Sequence, residues 1–312
     1  MKRRDFIKTG ILGTGILMSS SILNANTSKT KKVSLDLSYQ INFDSAQEVK
    51  LWIPMPITAD FQQPSKIKIQ GNYDLHKTYS QNGVPIVYAQ YNQEKKPKNI
   101  SIQMDLLLTQ RNSKNSLNSK ENLQTFLHST RYIRTDGSIK ELALKLKTTN
   151  DQQTVQNIYA WIKNNLDYQN AKNMKGIRKI QTKDSKVIFS GENISATTLF
   201  VSLCRACGIP SKEAFGLDLN HHQISFTSKA EVYLKQKGWV PYDVIAPIKN
   251  PTLEGSQQWL GNFVLLNYER DIKIEKSVLN SFDNAFALVD GDKLSYYESK
   301  HFIQNISYKQ LS

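Results

Sequence analysis

From Ile194 to Cys207 the chain reads ISATTLFVSLCRAC, apolar or small at nearly every position, and Gly208-Ile209-Pro210 follows at once. A surface helix carries one apolar stripe, whereas a helix apolar on nearly every side has to be buried centrally. Gly208 suits a C-terminal cap, and Pro210 cannot continue the helix. Such a helix needs packing layers on all sides, and the flanking sequence offers them in two different periods.

Helical spacing comes first. Ser138 to Lys147 places Ile139, Leu142 and Leu146 on one face, with Ser138 and Glu141 at capping-box spacing. Val155, Ile158, Tyr159, Ile162 and Leu166 form a second stripe after Asn150-Asp151. After the buried helix the period drops to two. Ile224, Phe226, Ser228, Ala230, Val232 and Leu234 share one face, leaving Thr227, Lys229, Glu231 and Tyr233 on the other. Gly238 to Val244 reads as the next strand, and Phe286–Val289, Asp290-Gly291 and Leu294 to Tyr297 read as a hairpin. Helices followed by antiparallel strands around a buried helix predict an α+β domain over residues 123–312.

Period two also rules the first third. Val33, Leu35, Leu37, Tyr39 and Ile41 alternate with polar residues, as do Val49, Leu51 and Ile53, and Ile100 through Leu108. Punctuated by Pro54, Pro56, Gly71 and Asn82-Gly83, this predicts an all-β sandwich over residues 32–110. Residues 111–122, rich in Asn, Ser and Lys, read as a linker.

Residues 1–25 belong to neither region. Lys2-Arg3-Arg4-Asp5-Phe6-Ile7-Lys8 precedes a short apolar run, Thr9 to Leu23, diluted by Gly10, Gly13 and Gly15 and ending in Asn24-Ala25. This resembles a twin-arginine export signal, and the run is too short and interrupted for a membrane span. The alternative is an uncleaved anchor. The expectation is an exported, periplasmic chain with no membrane span after cleavage. Net charge is +14, of which Lys2, Arg3, Arg4 and Lys8 less Asp5 contribute +3, leaving +11. Only eight of the 41 bases are Arg, and no Arg cluster with interleaved aromatics occurs, so no nucleic-acid partner is expected. The expected partner is an unidentified periplasmic protein, peptide or cell-envelope component.

Cys204 and Cys207 are the two cysteines of the chain. Redox C-x-x-C pairs sit at a helix N-terminus, where the dipole favours the thiolate; these lie in the last turn, which suits small buried residues. No Gly-rich phosphate loop and no metal-spaced Cys/His cluster appears, so neither cofactor nor metal is expected.

Two segments carry a resemblance. LFVSLCRACGIPSK is similar to the L-F-x-x-L-x-R-A-x-G-I-P-x-R segment of bacterial transglutaminase-like proteins, a cysteine-protease-like, papain-like superfamily. AEVYLKQKGWVPYD resembles their A-E-x-Y segment ending in G-W-V-P-x-D, with weaker support from STRYIRTDGSI, GNFVLLNYERDI and FALVDGDKL. The likeness runs from about Phe126 to Tyr297, roughly half the chain. It implies a nucleophilic Cys at the N-terminus of the buried helix, a His on the adjacent strand and an Asp on the next. Here those three positions are Asn193, Thr227 and Asp243, and only the Asp matches. An amide cannot attack a carbonyl at neutral pH, and a threonine cannot act as general base there.

Substitutes are poorly placed. Cys204 lies about 16 Å along the helix from Asn193 at 1.5 Å per residue. Ser190, Ser195 and Thr198 are near in sequence but need a base, and His221-His222 read as a loop pair before Thr227. His221-His222 also lacks a clear third metal ligand. The expectation is therefore an exported transglutaminase-like domain protein that is catalytically inactive, a pseudoenzyme acting as a binding or scaffold module. The alternative is an active hydrolase or acyl transferase with a displaced nucleophile.

Overall fold

The structure, a computed structural model, describes residues 30–43, 45–112, 122–172, 176–220, 223–251, 257–268, 270–294 and 300–311. Residues 1–25, expected to be an export signal, and the His221-His222 pair lie outside the described residues.

The alternating first third folds as strands β1 (Lys31–Ile41), β2 (Glu48–Pro54), β3 (Gln62–Gly71), β4 (Leu75–Gln81), β5 (Val84–Asn92) and β6 (Lys98–Leu108), with β7 (Arg111–Asn112) after them. Val33, Leu35, Leu37 and Tyr39 turn inward from β1 against Ile100, Ile102 and Met104 of β6 in one buried cluster. Asn82 (φ +52°) and Gly83 (φ +78°) join β4 to β5 in two residues, the backbone that Asn-Gly hairpins favour.

The helical section gives α1 (Gly137–Leu146), α2 (Asp151–Asn165) and α3 (Tyr168–Ala171). A hairpin of β8 (Ile177–Gln181) and β9 (Val187–Glu192) leads into α4 (Ala196–Ala206). The capping box expected at Ser138 is absent: Asp136 precedes α1 without a side-chain cap, and Ser138 Oγ donates to Ile188 O at 3.1 Å. Beyond α4 run β10 (Ser211–Asn220), β11 (Gln223–Leu234), β12 (Gly238–Tyr242), α5 (Ala246–Lys249), β13 (Gln258–Trp259) and β14 (Phe263–Asn267). The chain closes with β15 (Ile272–Ile274), β16 (Ser277–Leu279), β17 (Phe286–Val289), β18 (Asp292–Leu294) and β19 (Phe302–Gln310).

As its composition predicts, α4 is central: Leu199, Phe200, Val201, Leu203 and Cys204 are fully buried. They pack among α1, α2 and the inner residues Ala230, Val232, Val240 and Tyr242 of an antiparallel sheet ordered β12-β11-β10-β14. Each such side chain removed from water contributes about 1.5–3 kcal/mol. The α+β class is present, with a β-rich N-terminal region ahead of it.

Residues 113–121 of the expected linker lie outside the described residues. The sandwich comprises β19-β1-β6-β3 and β18-β17-β2-β5-β4, so the last strands return to the first region. Of the hairpin expected at residues 286–297, the described part, up to Leu294, pairs β17 with β18, but β17 then pairs with β2 rather than with the α4 sheet. Leu217 and Leu219 of β10 and Val264 and Leu266 of β14 join the sandwich core, so one buried cluster spans both regions. The physical reason is pairing: a sandwich edge left open by the N-terminal strands is closed from the far end of the chain.

Candidate active site

Of the three positions implied by the resemblance, Asn193 lies just before α4, whereas Thr227 and Asp243 belong to the far face of the β11–β12 ladder. Asn193 does not begin the helix. It adopts φ +52°, the left-handed backbone that Asn tolerates better than most residues. Its N–H donates to Gly176 O at 2.8 Å, and its Oδ1 accepts from Gly176 N at 2.6 Å. Since Ile177 pairs with Glu192, this double contact clasps the open end of the β8–β9 hairpin.

The helix cap is Ser195. Its Oγ accepts from Thr197 N at 3.2 Å and Thr198 N at 3.5 Å, while its own N–H donates to Thr198 Oγ1 at 3.0 Å. That reciprocal box satisfies donors that a helix start leaves orphaned. Ser195 Oγ also lies 3.4 Å from Ser228 Oγ on β11, and Thr197 Oγ1 donates to Ser228 O at 3.1 Å. Ser228 thus faces α4, so Thr227, one residue earlier on an unbroken ladder, turns to the opposite face. There Thr227 stands opposite Gly216, where a Cβ would meet Phe263 ring atoms at 2.9 Å.

Asp243 follows β12 and shares that opposite face with Lys229. The two form a charge-assisted pair through Lys229 Nζ and Asp243 Oδ2, with side-chain exposures of 5% and 16%. Asp243 Oδ1 accepts from Ala246 N at 3.0 Å and Ile245 N at 3.3 Å. Burial alone would raise the carboxyl, but the Lys229 ammonium and these backbone donors outweigh it and hold Asp243 below the usual carboxylate value. Among the described residues no hydrogen bond joins any two of Asn193, Thr227 and Asp243.

Around the cap lies a network that the sequence did not disclose. Arg270 Nη2 donates to Glu213 Oε2 at 2.6 Å and to Thr198 Oγ1 at 3.1 Å. Arg270 also pairs with Asn280 Oδ1, and Asn280 Nδ2 donates to Glu192 O at 2.6 Å. On the opposite face Glu231 pairs with Arg111 and accepts from Tyr268 Oη at 3.1 Å. Lys212 Nζ lies 3.5 Å from Glu231 Oε2 and 4.2 Å from the centre of the Trp239 ring. The quoted motif residues Glu231 and Trp239 therefore hold a buried charge cluster together. Charges on a period-two strand read as a solvated face. The available signal was that β11 needed cover on both sides, since Trp239, Phe263 and Trp259 had to pack somewhere.

Of the remaining candidates, Thr198 touches a carboxylate, its Oγ1 donating to Glu213 Oε1 at 3.3 Å, but Arg270 donates to both groups and holds that carboxylate in an ion pair. Ser195, at 2% exposure, is spent on the cap, and Ser190 is exposed on β9. Cys204 and Cys207 are free thiols at the far end of α4; burial raises both, and Cys207 Sγ donates to Ala143 O at 3.4 Å. Thiols so placed are held away from the reactive thiolate. The described histidines stand apart from the cap: His76 packs at a tilt against Tyr73, His301 likewise against Phe43, and the His128 carbonyl accepts from Arg205. Among the described residues no group of three His, Cys, Asp or Glu could hold a metal ion. No helix there is long and apolar enough to cross a membrane.

Sheet order, buried helix and motif positions together define a transglutaminase-like domain. Residues 140–244 match the family model described as Transglutaminase-like superfamily, so the chain carries a transglutaminase-like domain there. Along most of its length it is similar to an uncharacterised protein of Haemophilus influenzae, 26% identical over 324 residues, covering 86% of this chain and 88% of that one. Its fold is similar to a crystal structure from Cytophaga hutchinsonii named "Putative Cysteine Protease", with a TM-score of 0.57, 16% identity and 91% of each chain covered. At that identity the likeness is one of fold.

Proposed function

We propose that this protein is an exported transglutaminase-like pseudoenzyme that serves as a periplasmic binding or scaffold module. The observation that carries the reading is the fate of Asp243. In a working triad that carboxylate would orient an imidazole; here Lys229 and two backbone N–H groups occupy it. Asn193, at the nucleophile position, is likewise committed to Gly176. An active hydrolase or acyl transferase with a displaced nucleophile would need a hydroxyl or thiol activated by a base, and Ser195, Cys204 and Cys207 are buried without one among the described residues.

Covalent labelling tests this. The purified chain, treated at neutral pH with a fluorophosphonate and separately with a thiol-directed chloromethylketone, is expected to show no adduct by intact mass. A stoichiometric adduct on Ser195, Cys204 or Cys207 would establish the displaced-nucleophile enzyme instead. Export is tested separately. Arg3→Lys with Arg4→Lys is expected to keep the protein in the cytoplasm, and normal export of that variant would refute the twin-arginine route.

A further inference from the structure

Strand β19 ends its sheet, and the residues bonded to β1 fix what its other edge presents. Asn42 N–H donates to His301 O at 2.8 Å, and Leu311 N–H donates to Lys32 O at 2.8 Å. With the antiparallel register unbroken between these two pairs, the odd residues of β19 bond to β1. Ile306, Tyr308 and Gln310 therefore turn their N–H and C=O groups outward. That edge borders a cleft of about 660 Å³ lined by five consecutive residues, Ile306 to Gln310, as a strand does along its edge. The opposite wall is Leu219 and Asn220 of β10 and Ile224 of β11, with Asn262 from the turn before β14.

We propose that this cleft receives an extended acidic segment of another protein, added as a further strand along β19. The backbone edge offers three donors and three acceptors in strand register, the requirement for strand addition. Leu219, Ile224 and Ile306 give the cleft an apolar wall for alternate side chains of the segment. Lys31 and Lys309 supply two positive charges, and among the described residues no lining residue is acidic. Lys31 Nζ lies 5.4 Å from the centre of the Tyr308 ring, at the mouth of the edge. Two further groups are unfinished. Asn262 Nδ2 donates to Asp218 Oδ1 at 2.8 Å and Asn220 Oδ1 at 2.9 Å, yet its buried Oδ1 accepts nothing among the described residues. On β19 itself both amide atoms of Gln304 are buried without a partner there. Buried amides left unpaired are costly, and the N–H of a docked peptide backbone supplies the donor that Asn262 Oδ1 in the cleft lining lacks. The site is separate from the α4 cap, so the inference stands whether or not that cap supports turnover.

The test is selection of peptides from a displayed library of random dodecapeptides against the full chain, followed by amide hydrogen exchange. Enriched peptides should alternate apolar with acidic residues, and binding should protect the amides of Ile306, Tyr308 and Gln310. Proline is tolerated at edge positions whose N–H faces outward, so Gln310→Pro should keep the melting temperature while weakening binding about tenfold. Lys31→Glu with Lys309→Glu should weaken it by a similar factor. No enrichment, or enriched peptides that bind both variants unchanged, would overturn the proposal. Outward amides already protected in the free chain, or a dimer dissolved by Gln310→Pro, would assign the edge to a different occupant and overturn it as well.

Discussion

Lys229 is the residue on which the reading of the site depends. Its ammonium is buried with the Asp243 carboxylate, and breaking such a pair strands a charge away from water. Lys229→Ala should therefore destabilise the fold by about 3–5 kcal/mol in urea unfolding, whereas the double change Lys229→Met with Asp243→Asn should recover most of the loss. The pH dependence follows from the sign of the shift. Asp243 is depressed in the folded state, so its contribution is complete above the unfolded value of about 3.9 and is lost as pH falls through the folded value. Unfolding curves should show a shallower loss of stability below about pH 4 for the double variant than for the wild type. At Asn193 the left-handed backbone and the bond to Gly176 act together. Asn193→Ala should cost about 1–2 kcal/mol, and Asn193→Gly less, because glycine keeps the backbone at no steric cost. A triad asparagine with a purely chemical role would show no such order.

At the scale of elements, α4 was legible because a run that is apolar on every side admits one placement. Its limits were less so. The capping serine is Ser195, and Asn193, an equally good cap on propensity, is drawn away by the hairpin it closes. The Ser138…Glu141 box failed for a related reason: the hydroxyl found the Ile188 carbonyl, a tertiary partner that no local spacing shows. The β11 alternation was legible as well. What it could not reveal is that both faces are buried, one under α4 and the other under Phe263, Trp259 and Arg111. Hence Thr227 and Asp243 could be numbered from motif spacing, but the Lys229 and Arg270 networks could not. A direct consequence concerns Gly216, whose added Cβ would lie 2.0 Å from Val264 O. Because that neighbour is backbone, Gly216→Ala should disrupt the β10–β14 ladder. Hydrogen exchange should show lost protection at Val264 and Leu265, while α4 amides stay slow.

For the whole molecule, the C-terminal strands tie the two regions into one structure. Strand β19 edges one sandwich sheet, and β17 and β18 edge the other, with Ala287 and Phe302 in the shared core. A chain ending at Ala285 should therefore lose cooperative unfolding of the sandwich, seen as loss of near-ultraviolet circular dichroism, although every N-terminal strand is retained. The same coupling explains why the sequence predicted the sandwich but misplaced its closing strands. Alternation marks strands, while their partners are chosen over some 250 residues of intervening chain. The proposed pseudoenzyme keeps a transglutaminase-like architecture without triad chemistry. This is tested most directly by ammonia release from a panel of glutamine and asparagine amide substrates, with amine acceptor present and absent, across pH 6 to 9. The wild-type chain is predicted to match the enzyme-free control, and Asn193→Cys with Thr227→His to remain silent while Lys229 holds Asp243. Wild-type turnover abolished by Ser195→Ala, His221→Ala or His222→Ala would contradict it.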